Sequence, residues 1–183
     1  GRFISIENAC KELTIINKYT VNVDNNSFLI NKNKDATVTF EGGTYEGLTD
    51  DGISIIENGG VVNLKNVKFN VTGSAYYGNI VYNFWSDLEG TINIQDGTIL
   101  DNNRNGNLPN YPCIYLGTVN MYGGTITSSA GKGFRGIMAL KIKVVGGKIS
   151  NFYNAIDNSA VKNSSTTLGN VTFENNNSDI VLG

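Results

Sequence analysis

Charge is scarce in this chain of 183 residues: 16% are Asp, Glu, Lys or Arg, against about 25% in an ordinary soluble domain. The 14 basic and 16 acidic residues leave a formal net charge of −2, so nothing draws the chain to a phosphate backbone, and nucleic acid is not an expected partner. No run approaches the roughly 20 apolar residues of a membrane helix, so membrane insertion is not expected. The opening Gly1-Arg2-Phe3-Ile4 lacks the charged-then-apolar layout of a signal peptide, and the chain is expected to be a piece of a longer protein. Cys10 and Cys113 are too few for a disulfide scaffold and read as two buried free thiols. There are two prolines and no histidine at all. Hydrophobic residues at 40% suffice for a core and argue against disorder. What is abundant is asparagine, with 28 copies, and glycine, with 22.

Much of that excess falls in a repeat. The unit apolar-x-apolar-x-turn-turn-x-apolar is written as Val38-Thr-Phe40-Glu-Gly42-Gly43-Thr-Tyr45 and again as Val62-Asn-Leu64-Lys-Asn66-Val67-Lys-Phe69. It returns as Ile92-Asn-Ile94-Gln-Asp96-Gly97-Thr-Ile99, Val119-Asn-Met121-Tyr-Gly123-Gly124-Thr-Ile126, Ile142-Lys-Val144-Val-Gly146-Gly147-Lys-Ile149 and Thr166-Thr-Leu168-Gly-Asn170-Val171-Thr-Phe173. A weaker copy starts at Leu13-Thr-Ile15. Alternating apolar residues describe strands with one face inward. The fifth position, held by Gly42, Asn66, Asp96, Gly123, Gly146 and Asn170, is expected to take the left-handed backbone angles of a corner. Between copies runs a further short strand, expected to turn Ile53/Ile55, Ile80/Tyr82, Ile114/Leu116, Ile137/Ala139 and Ile180/Leu182 inward.

Three short strands per repeat of about 25 residues, with no credible helix, make one coil of a three-sided solenoid. The expected fold is all-β: a right-handed, three-sided parallel β-helix of about six to seven coils, with strands of successive coils about 4.8 Å apart. Like residues should stack inside as ladders: Val38, Val62, Ile92, Val119 and Ile142; Phe40, Leu64, Ile94, Met121, Val144 and Leu168; Tyr45, Phe69, Ile99, Ile126, Ile149 and Phe173. Residues 1–12 are expected to form an N-terminal cap and residues 13–183 a single β-helix domain.

The Gly-Gly-Thr-Ile and Gly-Gly-Lys-Ile copies resemble the pectin-lyase-like superfamily of right-handed parallel β-helices, and Val119–Ile126 and Ile92–Ile99 look most like repeats of microbial cell-surface adhesin-like proteins. The resemblance runs from Leu13 to Leu182. It implies the fold and leaves function open, because the superfamily contains lyases, hydrolases, phage tailspikes and adhesins.

Asp50-Asp51-Gly-Ile-Ser-Ile55 resembles the paired-aspartate strand of polygalacturonases. That family also carries Gly-His-Gly and Arg-Ile-Lys on adjacent coils. Here histidine is missing, and Lys141-Ile142-Lys143 lies four repeats on, roughly 19 Å away at 4.8 Å per coil. Asp50 and Asp51 are therefore read as a solvated turn. A lyase would bind calcium through acidic residues and abstract a proton with Arg or Lys, drawing on Asp101, Arg104, Arg135 and Asp157. Calcium needs 6–8 oxygen ligands, and no tight acidic cluster is written here. No cofactor or metal site is indicated, calcium included. Asn25, Asn70, Asn163, Asn170 and Asn176 lie in glycosylation-type triplets, which arise easily in so Asn-rich a chain and are not read as modified.

Aromatic residues outside the ladders carry the functional expectation. Tyr76, Tyr77, Phe84, Trp85, Tyr111, Phe134 and Tyr153, with Arg104 and Arg135, fall in loops, several of them at the same point of successive coils, with Trp85 and Tyr77 foremost for contact. A strip of rings with polar neighbours suits sugars, whose faces are apolar and rims polar; the alternative is that the rings fold back over the helix. The expected function is a structural and adhesive segment of a secreted or surface-displayed microbial protein. It would be extracellular or at the cell surface and bind a glycan or a cell-surface or matrix protein. The alternatives are a trimeric tailspike and a polysaccharide lyase or glycoside hydrolase.

Overall fold

The computed structural model describes residues 2–48, 54–73, 79–104, 111–131 and 133–183. Three parallel sheets wind around one core, and among the described residues there is no helix. The first sheet has eight strands: Arg2–Ile6, Ser27–Asn31, Ile56–Asn58, Val81–Tyr82, Pro112–Tyr115, Arg135–Met138, Asn154–Asp157 and Ser178–Val181. The second and third sheets have seven strands each, running from Glu12–Ile16 to Ser165–Leu168 and from Thr20–Asn22 to Thr172–Glu174. Neighbours within each sheet come from successive coils, which makes a three-sided parallel β-helix of about seven turns. The chain's first strand, Arg2–Ile6, joins the first sheet by pairing with Ser27–Asn31.

In the second sheet the repeat stacks as its spacing dictates. Leu13, Val38, Val62, Ile92, Val119, Ile142 and Thr166 stand opposite one another in turn, and so do Ile15, Phe40, Leu64, Ile94, Met121, Val144 and Leu168. The inner members from Val38 to Val144 are buried. At roughly 1.5–3 kcal/mol for each apolar side chain fully withdrawn from water, these columns are the main stabilising term. On the outer face of the same sheet, polar residues bond along the stack: Asn63 donates to Thr39 at 3.2 Å, Asn93 to Asn63 at 2.8 Å and Asn120 to Asn93 at 2.9 Å.

The third sheet departs from the expected ladder at one place. Leu100, not Ile99, stands between Phe69 and Ile126, while Ile99 faces solvent. The corner of this coil is one residue longer. Thr98 is drawn inside, where its hydroxyl donates to the Leu64 carbonyl at 3.0 Å, and the following strand reverses its parity. The left-handed angle is also displaced from the expected position. It falls on Gly97, Gly124 and Gly147, with φ of 75°, 80° and 88°, rather than on Asp96, Gly123 or Gly146. Asn66 keeps its expected left-handed angle, Gly42 and Gly43 both take one, and Asn170 does not.

A second polar column lies inside. Asn31, Asn58 and Asn83 are fully buried at the corner between the first and second sheets. Asn31 donates to Asn58 at 3.0 Å, Asn58 donates to Asn83 at 2.8 Å, and Asn83 donates to the Gly90 carbonyl at 2.8 Å. Each amide also serves its own turn: the Asn33 and Gly60 N–H groups donate to the side chains of Asn31 and Asn58. A turn that leaves the sheet has no neighbouring strand for its backbone polar groups, and these amides supply the missing partners.

Replacing Asn58 by Ala strands buried groups on both neighbouring coils. It should lower unfolding free energy by about 2–4 kcal/mol in urea titration, at about 1–3 kcal/mol per unpaired buried group. Asn93→Ala, on the wet outer ladder, should cost under about 1 kcal/mol in the same titration. Leu100→Ala should cost about 2–5 kcal/mol and Ile99→Ala much less; equal losses would contradict the register given above.

Candidate functional site

The first sheet is where parity matters most. At its entry the chain bends. The N–H groups of Phe28 and Leu29 both donate to the Ile55 carbonyl, and consecutive residues turn inward: Phe28 and Leu29, Ile55 and Ile56, Ile80 and Val81, Cys113 and Ile114. The ladder of this sheet is therefore Ile4, Leu29, Ile56, Val81, Ile114, Ile137, Ile156 and Ile180. The expected inward positions hold for Ile55, Ile80, Ile114, Ile137 and Ala139; Ile180 keeps the ladder position but is exposed on the last coil, Leu182 is exposed, Leu116 turns the corner half-buried with a φ of 63°, and Ile53 lies outside the described residues. Tyr82 is a further correction, because Ile80 sits at the bend and Val81 takes the ladder position, leaving Tyr82 on the outer face.

A column of outward side chains follows: Glu57, Tyr82, Tyr115, then Met138 and Asp157. The rings of Tyr82 and Tyr115 stack with centroids 5.9 Å apart and an interplanar angle of 27°. Phe84 tilts against Tyr82 at 6.2 Å. Phe84 begins a short antiparallel hairpin, Phe84–Trp85 with Leu88–Glu89, that grows out of the corner between the first and second sheets. Glu57, Tyr82, Phe84 and Ser86 line an open hollow of about 470 Å³, within the size range of small-ligand sites. Partial burial, with Tyr115 and Glu57 beside it, pushes the Tyr82 phenol above its ordinary value, so it stays protonated and can donate. Glu57 in turn accepts from the Ser27 hydroxyl at 3.1 Å.

The residues singled out by sequence are dispersed. Tyr76, Tyr77, Asp50 and Asp51 lie outside the described residues, as does the side chain of Trp85. Phe134 is 1% exposed and belongs to the core, Tyr111 packs half-buried against it, and Arg104 is enclosed at the end of strand Ile99–Arg104. Only Tyr153, 44% exposed, offers a free ring among those described. At this corner small residues leave room for an inward ring, that of Phe152. The column that holds Ile55 and Ile80 in earlier coils narrows to Gly136 and Ala155, and a β-carbon at Gly136 would meet the Phe152 ring at 3.1 Å. Sequence reading placed Phe84 among the loop aromatics but missed Tyr82, Tyr115 and Glu57. The signal was the doubled apolar residue, Ile55-Ile56 and Ile80-Val81, that marks a parity change.

Arg135 and Asp157 do come together, at 2.7 Å. Burial alone would raise the Asp157 carboxyl. The Ser159 hydroxyl at 2.6 Å, the Asn154 amide at 2.6 Å, the Ser159 N–H and Arg135 outweigh it, and the carboxyl titrates below the ordinary range. Burial pushes the Cys113 thiol far up, which makes it inert, and Cys10 is a second free cysteine. No group of three or more His, Cys, Asp or Glu side chains suited to a metal ion occurs among the described residues. No family model, curated protein or solved structure matches the chain.

Because the Asp157 carboxyl is depressed in the fold, its contribution is complete above the unfolded value of about 3.9 and is lost as pH falls through the folded value. Asp157→Asn leaves Arg135 without its counter-charge. It should cost about 3 kcal/mol at neutral pH and flatten the loss of stability below pH ~4, as followed by urea titration across pH.

Proposed function

We propose that the chain is an adhesive segment of a surface-displayed or secreted microbial protein, a rigid rod that holds a ligand-binding face away from the cell. The reading is carried by the stacked pair Tyr82 and Tyr115 with Phe84 beside it, on an outer sheet face. Half-exposed rings held by a stiff parallel ladder lose little conformational freedom when a ligand stacks on them. Such rings fit the apolar face of a sugar or an aromatic-rich patch on a cell-surface or matrix protein. The carboxylates offer less support for an enzyme. Asp157 is engaged by Arg135, Ser159 and Asn154, and Asp101 accepts from both the N–H and the hydroxyl of Ser129, so both serve neighbouring turns and strands.

Immobilised protein should retain cells, matrix proteins or glycans, and Tyr82→Ala together with Tyr115→Ala should reduce retention about tenfold or more without changing the melting temperature by more than a few degrees. Retention unchanged in that double variant would remove the ring face from consideration. Light scattering that shows a stable trimer would favour a tailspike. Unsaturated product from uronic-acid polymers would mark a lyase, and new reducing ends alone a hydrolase.

A further inference from the structure

The ring-bearing hollow has an electrostatic setting that selects among glycans. Between Lys68 and Lys132 the only cationic residue in the sequence is Arg104, and it is buried inside the helix. The same span carries Asp87, Glu89, Asp96 and Asp101. Asp87 and Glu89 are exposed on the hairpin that supplies Phe84, and Glu57 lines the hollow from the preceding coil. Among the described residues no Lys or Arg pairs with Glu57, and the pairs Lys32 with Glu7, Lys34 with Asp35, Arg135 with Asp157 and Lys148 with Glu174 lie toward the two ends of the rod. Among the described residues the coils of Tyr82 and Tyr115 thus present acidic side chains and no exposed Lys or Arg, and Lys65 and Lys68 of the preceding coil lie on its second and third sheets rather than beside Glu57 on the first.

We infer that this hollow, lined by Glu57, Tyr82, Phe84 and Ser86 with Tyr115 stacked behind Tyr82, binds an uncharged hexopyranose of a neutral glycan and rejects uronic, sialylated and sulfated sugars. The inference rests on the adhesive reading above and narrows it. Apolar C–H faces of a pyranose stack on Tyr82 and Phe84, and its hydroxyls donate to the Glu57 carboxylate, which already accepts one hydroxyl bond, from Ser27, and has further lone pairs. The protonated Tyr82 phenol supplies a donor in return. An anionic sugar in the same place would set its carboxylate against Glu57, with Asp87 and Glu89 within the hairpin that borders the site. Like-charge juxtaposition of this kind disfavours wrong partners more than it weakens the right one.

Titration calorimetry with the full chain tests this, using cellotetraose, chitotetraose, a galactose-terminated neutral tetrasaccharide and tetragalacturonate as probes. At least one neutral probe should bind and tetragalacturonate should not. Tyr82→Ala and Phe84→Ala should each weaken the neutral probe about tenfold with unchanged circular dichroism. Tyr82→Phe should retain most of the affinity, and Glu57→Gln should weaken the neutral probe several-fold while admitting tetragalacturonate. Tighter binding of tetragalacturonate than of every neutral probe would overturn the inference, as would wild-type affinity in folded Tyr82→Ala, Phe84→Ala and Glu57→Gln variants. If no glycan binds but the chain still attaches to cells or matrix protein, the neutral-sugar site fails and the adhesive reading stands. If nothing is retained at all, both fail.

Discussion

Among the described residues the strands of the three main sheets find their hydrogen-bond partners on neighbouring coils, and that single constraint governs the rest. Parallel pairing in register places residue over residue at a spacing of about 4.8 Å, so whatever suits one coil must suit its neighbours at the same position. Apolar residues become continuous columns, as from Val38 to Val144. Amides become chains, outside in Asn63, Asn93 and Asn120 and inside in Asn31, Asn58 and Asn83. Charged residues suit such columns poorly, because like charges would stand opposite one another. The low charge and the Asn content are two sides of one requirement.

Corners are where the stacking rule is suspended and sequence-specific devices take over. Between the first and second sheets a buried Asn column serves the turn backbone. Between the second and third a left-handed glycine or asparagine makes the bend, at Asn66, Gly97, Gly124 and Gly147. The hairpin of Phe84–Trp85 and Leu88–Glu89 is an insertion at one such corner, and it brings Phe84 over the edge of the first sheet beside Tyr82. The binding face proposed for this rod is a product of that arrangement. A regular ladder supplies rigidity, and one irregular corner supplies shape.

How far the sequence could be read depended on parity. In the second sheet each strand follows its corner with fixed spacing, so Val38, Val62, Ile92, Val119 and Ile142 were legible as a column, as were Phe40 to Leu168. In the third sheet the same reasoning held for Tyr45, Phe69, Ile126, Ile149 and Phe173 and slipped at Ile99, where an added corner residue shifted the strand by one. In the first sheet the bend that turns two consecutive residues inward moved Tyr82 to the outside and hid the ring column from a pattern of strict alternation. The loop aromatics were misleading for a different reason. A large ring beside Gly136 and Ala155 fills the space they leave, and a linear sequence does not display that neighbour, which comes from another coil.

The period, the three-sided solenoid and most of the core columns are written in the amino-acid order, because a strand's inward face and a repeat's length are local properties of the chain. Which rings meet solvent and which carboxylates find partners depends on contacts between coils. Phe134 goes inside, Tyr82 and Tyr115 outside, and Asp157 meets Arg135 across coils. A shift of one residue at a bend reverses every side chain after it, and whether that shift occurs is settled by how successive coils pack.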